Sequence, residues 1–130
     1  MRPNTLSLQG LTVGAALLVT TLSAAARPLS AQSFDGLWSV LVITDRGACG
    51  GDRRFGIQIS NGRVFYEGGS GVDLFGRVSP RGQVIVQVRQ GDQIAAGTGR
   101  LAQTSGGGRW SGSSFDQRCA GHWVAERRGF

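Results

Sequence analysis

The chain has 130 residues and a formal net charge of +6, from eight acidic side chains against fourteen basic ones, all arginine. That length suits one domain with one modest core and excludes two. The arginines are scattered (Arg53-Arg54, Arg63, Arg77, Arg81, Arg89, Arg100, Arg109, Arg118, Arg127-Arg128), with no block of about five or six like charges. They give no nucleic-acid footprint and read as solvated charge. A basic face for anionic polymers or lipid headgroups is the alternative.

At the N-terminus, Arg2 precedes an uncharged stretch, Leu11 to Ala26, which closes on Ala24-Ala25-Ala26. This is the basic start, apolar middle and small-residue site of a secretory signal peptide. Residues 1–26 are therefore expected to be cleaved after Ala26, exporting the chain to the periplasm or the extracellular space. The apolar stretch is shorter than the roughly 20 residues of a spanning helix and contains Thr12, Gly14, Thr20, Thr21 and Ser23. No transmembrane segment is expected after cleavage. Removing the first 26 of 130 residues leaves 104, and the loss of Arg2 lowers the net charge from +6 to +5. Residues 27–33 read as a flexible tail and residues 34–130 as a single β domain.

From Phe34 onward short β-type runs alternate with turn signals, and no helical period is sustained. Leu37 to Ile43 is apolar on both parities, which predicts a strand covered on both sides; Asp45-Arg46-Gly47 ends it. Arg54 to Ser60 alternates, with Phe55, Ile57 and Ile59 on one face. Asn61-Gly62 is a strong hairpin signal, because a type I′ turn needs positive φ at both central residues, and Arg63 to Glu67 returns. A strand over Val72–Val78 follows the flexible Gly68-Gly69-Ser70-Gly71, and Ser79-Pro80-Arg81-Gly82 turns it. Gln83 to Arg89 points Val84, Val86 and Val88 inward. Gln90-Gly91-Asp92 leads to a weaker strand over Gln93–Leu101. The glycines of Ser105-Gly106-Gly107-Gly108 read as a turn before Arg109–Phe115, and the last strand is Ala120–Glu126.

The fold class is accordingly all-β: an eight-stranded antiparallel up-and-down meander, closed into a small barrel to remove its two edges. A two-sheet sandwich is the alternative. Glycines inside strands (Gly56, Gly76, Gly97, Gly99, Gly112) fit bends and bulges of a barrel wall.

Two cysteines in an exported chain read as one disulfide, Cys49–Cys119. It closes a 70-residue loop, worth about 4 kcal/mol in the chain-entropy model. A zinc site wants four ligands and His122 is the single histidine, so no metal and no cofactor are expected. Nor is catalysis expected: there is no G-x-S-x-G elbow and no C-x-x-C. Gly97-Thr98-Gly99-Arg100-Leu101-Ala102 matches G-x-G-x-x-A without the strand–turn–helix that gives the motif meaning.

Each tryptophan follows a glycine by two residues: Gly36-Leu37-Trp38, Gly108-Arg109-Trp110 and Gly121-His122-Trp123. Residues i and i+2 share a face of a strand, so each glycine is expected to clear room beside its own indole. The three lie on the first, seventh and eighth strands, which become neighbours only if the meander closes. The rings then plug one end as core, or line a pocket for a small apolar or aromatic ligand, with Tyr66, Arg109 and His122 as polar candidates. Parity puts His122 opposite Trp123 and hence toward solvent, which leaves haem ligation by its imidazole the less favoured reading.

Five segments, Phe34 to Val40, Asn61 to Val64, Gly76 to Val78, Gly97 to Leu101 and Cys119 to Trp123, give residues 34–127 a pattern that resembles a group of short exported proteins of rhizobial-type bacteria. Members of that group carry labels linking them to haem utilisation and exoproteins. Gly36-Leu37-Trp38 on the first strand is similar to the G-x-W of lipocalin- and avidin-like barrels. One disulfide in an exported eight-stranded barrel resembles small periplasmic inhibitors of metalloproteases. Three functions are thus expected to compete: a ligand-binding barrel at Trp38, Trp110, Trp123, Tyr66 and Arg109; a module binding an envelope protein, such as a protease inhibitor; and an envelope-associated structural or haem-related protein.

Overall fold

The period-two alternation resolves into eight strands: β1 (Gly36–Arg46), β2 (Arg53–Ser60), β3 (Arg63–Tyr66), β4 (Asp73–Val78), β5 (Gln83–Gln90), β6 (Gln93–Leu101), β7 (Ser105–Ser114) and β8 (Gln117–Gly129). The computed structural model describes Gly10, residues 12–21 and residues 33–130. Most of the expected leader and all of the expected tail but Ser33 lie outside the described residues; Gly10 and residues 12–21 form neither helix nor strand. Among the described residues no helix is long and apolar enough to cross a membrane.

Every strand pairs antiparallel with the next, and β8 returns to β1, so the sheet is a closed barrel in simple sequence order. Closure gives every strand a partner on each side, and the sandwich alternative does not form. The hairpin at Asn61-Gly62 is as the sequence predicts, with φ of 51° and 73°. Asp35 fixes it from outside the hairpin. Its carboxylate accepts hydrogen bonds from the Asn61 N–H at 2.9 Å and the Gly62 N–H at 3.3 Å.

Several strand ends differ from expectation, for reasons of register. β1 runs on through Asp45-Arg46 because Arg46 still finds a partner in Ala120, across an irregularity after Thr44. β8 is longer than Ala120–Glu126 because it serves two ladders at once, from Gln117 against β7 to Gly129 against β1. The Gly106–Gly108 run is not a turn. These glycines pair with Leu101, Arg100 and Gly99, and a Cβ on Gly108 would collide with the Thr98 carbonyl oxygen. The turn falls instead at residues 102–104. Nor is β1 covered on both sides: Leu37 is exposed and Leu41 and Ile43 are half-buried on the outer wall.

The core occupies one end of the barrel, the base. Phe34, Trp38, Ile59, Val64, Val78, Val84, Leu101, Trp123 and Ala125 pack together there. Trp38 is 0% exposed, and its indole N–H donates to the Phe34 carbonyl at 2.9 Å. Arg127 is its cross-strand partner. The guanidinium stacks 5.4 Å from the Trp38 ring centroid and 4.1 Å from that of Phe130. It donates to the carbonyls of Gln103 (2.9 Å) and Ser33 (3.1 Å), and to that of Asp35. One planar cation thus stitches three stretches of chain across the base.

At the opposite end, the mouth, Cys49 of the β1–β2 loop is bonded to Cys119 of β8, with Cα atoms 6.0 Å apart. The pairing is the one expected, and such a bridge is consistent with an oxidising, exported environment. All eight strands, the closure, the disulfide and the core lie within residues 33–130.

Expected consequences follow for stability. A chain of residues 33–130 melts with the full protein's Tm in calorimetry. Within it, Arg127→Ala lowers the unfolding free energy in urea by about 2–3 kcal/mol, because carbonyls at the base lose their donor and Trp38 its cation. Arg127→Lys recovers less than half, since an ammonium cannot replace a planar fork. Equal stability of the Ala and Lys variants to the parent would show that the base is held by apolar packing alone.

Candidate ligand cavity

Side chains of one parity on each strand point inward, and their sizes decide how much of the interior is filled. One ring of cross-strand partners reads Val64, Gly76, Val86, Gly97, Trp110, Gly121, Thr44. It alternates a side chain with a glycine almost all the way round. A Cβ on Gly76 would lie 2.9 Å from Val64 Cβ, and one on Gly97 would lie 3.0 Å from Val86 Cγ1. The glycines let their large neighbours lean sideways over the wall instead of filling the centre. A second row, Leu74, Val88, Ala95, Gly112, Cys119, lies nearer the mouth and is built largely from small residues.

The result is a cavity of about 200 Å³ above the packed base. Trp38 forms its floor, while Trp110 and Trp123 lie on the wall with Val40, Val42, Leu74, Val86 and Val88. Thr44, Arg53, Tyr66, Gln90, Gln93, Ser113 and Ser114 also line it, as polar groups toward the mouth. Tyr66 stands edge-to-face with Phe55, ring centroids 6.1 Å apart.

All three indole N–H groups are already satisfied by backbone. That of Trp110 donates to the Ile43 carbonyl at 2.9 Å, reaching over β8 to β1, and that of Trp123 donates to the Thr98 carbonyl at 3.2 Å. With Trp38 bonded to Phe34, the rings offer the cavity only their apolar carbon faces. Buried indole N–H groups seek such partners, and here the partners orient the rings.

Of the residues expected to form a site, Trp38, Trp110, Trp123 and Tyr66 come together around this one cavity. Arg109 does not. It alternates with Trp110 along β7, is exposed on the outer wall, and lines a separate shallow depression with Asp45, Thr98 and Ser111. His122 is likewise outside, its Nδ1 2.7 Å from Asp45 Oδ2, so it is not aimed at the cavity. The expectation that each glycine clears room for the tryptophan two residues on is also corrected. Space for Trp110 comes from Gly121, where a Cβ would lie 2.8 Å from its Nε1, and space for Trp123 comes from Gly99, where a Cβ would strike the ring itself. The clearing glycines sit on other strands, Gly121 on β8 beside Trp110 of β7 and Gly99 on β6, two strands from Trp123 of β8, so register chooses them, not local spacing. Arg127 was not singled out by the sequence, where it is one of many scattered arginines. Val86, Val88, Phe55 and Ile57 were legible as inward-facing by alternation alone.

Comparison of the chain with protein-family models, with curated proteins and with solved structures finds no match.

Gly121→Ala is expected to push Trp110 off the wall and to cost about 1–3 kcal/mol, the usual price of overpacking, with a red-shifted tryptophan emission. Gly129→Ala, where an added Cβ meets nothing within 4 Å, should leave both readouts unchanged. Equal behaviour of the two variants would contradict the close fit of Trp110 over Gly121.

Proposed function

We propose that this protein is an exported, non-enzymatic β-barrel, working in the periplasm or outside the cell, that binds a small apolar or aromatic molecule within its interior. The observation that carries this reading is the combination of an open apolar cavity with three indole rings whose N–H groups are already bonded to backbone. Such walls reward apolar contact and offer almost no polar recognition, as in most small-molecule sites. A void of about 150 Å³ between aliphatic and aromatic side chains takes up benzene. The cavity here, at about 200 Å³, suits one ring with a short substituent or a compact aliphatic chain.

Fluorine NMR of 4-fluorotoluene titrated with the protein, produced in its own cells, tests the reading. A saturable shift is expected, weakened at least about tenfold by Val88→Trp, which occupies the space a ring would need. Ala95→Leu narrows the same region with less risk to folding and should weaken binding as well. Absence of a saturable shift, or unchanged binding in both filled variants with parental Tm, would overturn it.

A further inference from the structure

The outer wall of β3–β5 carries an apolar patch that the cavity does not use. Arg63 and Arg77 are direct cross-strand partners, and continuing that register one step places Phe65 opposite Phe75. Ile85 pairs with Arg77 on the next strand and so lies diagonal to Phe75, which puts Phe65, Phe75 and Ile85 on three successive strands on the same side of the wall. They are 49%, 81% and 66% exposed. Isolated exposed apolar residues are ordinary, but a contiguous group of them marks an interaction surface.

The charge around the patch identifies its partner. Like charges directly opposite on neighbouring strands are destabilising, yet Arg63 faces Arg77 and, among the described residues, neither forms an ion pair; the two pairs there join His122 to Asp45 and Arg128 to Glu67. Arg100, on the strand beyond β5, pairs with Gln83 and adds a third cation near the base end of the same face. A second copy of this chain is a poor occupant. A two-fold interface would bring this arginine pair against itself, and like-charge juxtaposition across an interface costs several kcal/mol. The face is also the convex side of a barrel, without a groove to grip a peptide. On the mouth side Asp73 shares the outer face and is matched by Arg89, so the unmatched charge lies at the base side, and a convex surface with protruding phenylalanines flanked there by arginines suits an interface that deforms to receive it.

We infer that the β3–β5 face docks on an anionic lipid surface, with Phe65, Phe75 and Ile85 entering the boundary between headgroups and acyl chains and Arg63 and Arg77 pairing with lipid phosphates. Guanidinium groups match phosphate oxygens in bidentate fashion, and apolar side chains with adjacent cations are the working parts of interfacial binding. Docking relieves the repulsion between the two arginines and takes the exposed rings out of water.

Co-sedimentation of the protein, produced in its own cells, with vesicles tests this inference. Vesicles of equal parts phosphatidylglycerol and phosphatidylcholine should bind the protein, pure phosphatidylcholine vesicles should not, and binding should weaken as salt rises. Arg63→Gln with Arg77→Gln should weaken partitioning about 30-fold, and Phe75→Ser at least about tenfold. The control pair Arg46→Gln with Arg118→Gln removes the same charge from the mouth end and should bind nearly as the parent does. Three results would overturn the inference: no binding to the anionic vesicles, an equal loss in the control pair, or a dimer in analytical ultracentrifugation that Phe75→Ser disperses. Retention on polyglutamate without vesicle binding would assign the face to an acidic protein and overturn it as well.

Discussion

Everything in this barrel depends on the seam where the last strand meets the first, and the seam is held at the base by Arg127 lying against Trp38. The two are cross-strand partners on β8 and β1. An arginine at the end of a barrel is ordinarily free to extend into water. Here its ring-stacked guanidinium reaches the carbonyls of Ser33, Asp35 and Gln103, so the chain before β1 and the β6–β7 turn are tied to the same point. Trp38 fills the floor above a support it could not obtain from another apolar side chain, since these carbonyls need donors as well as packing. Closed at this end by Arg127 and stapled at the other by Cys49–Cys119, the wall has little freedom to open along β1–β8.

Closure then decides what the interior can hold. An eight-stranded barrel has an interior of a size that side chains can fill or that can admit one small ligand, and this sequence divides the two roles along its axis. The base is filled by Trp38, Ile59, Leu101 and their neighbours. Nearer the mouth many inward positions pass to valine, alanine or glycine, as at Val86, Val88, Ala95, Gly97 and Gly112, and space remains. The indoles of Trp110 and Trp123 would occupy that space if they pointed along the radius. Hydrogen bonds from their N–H groups to Ile43 and Thr98 hold them flat instead, over Gly121 and Gly99. The proposed binding function rests on this arrangement, in which polar atoms of the large rings are spent on the backbone and carbon faces are left for a ligand.

Much of the fold was legible because its signals are local. Asn61-Gly62 needs only its own φ preferences to make a hairpin, and Val84, Val86 and Val88 reveal their face by alternation. The grouping of the three tryptophans followed from counting strands and assuming closure. What stayed hidden depends on register between strands distant in sequence. The Gly106–Gly108 run resembles a turn until its ladder with Gly99–Leu101 is known. Arg109 adjoins Trp110 in sequence yet lies across the sheet from the cavity, because parity outweighs proximity. Arg127 differs from the other arginines only by ending up beneath Trp38, which no local pattern encodes. The apolar outer residues of β3–β5 were read simply as strand residues, since alternation cannot tell a solvent face from a docking face.

Native mass spectrometry of the protein purified from its own cells tests the central claim most directly: that the closed barrel keeps an apolar interior for a small molecule. The expected species is a chain two hydrogens lighter than its reduced sequence, carrying a non-covalent small-molecule adduct that leaves as a neutral, apolar species on collisional activation. A chain that is bare under conditions retaining weak apolar complexes, or one with free thiols, would contradict it.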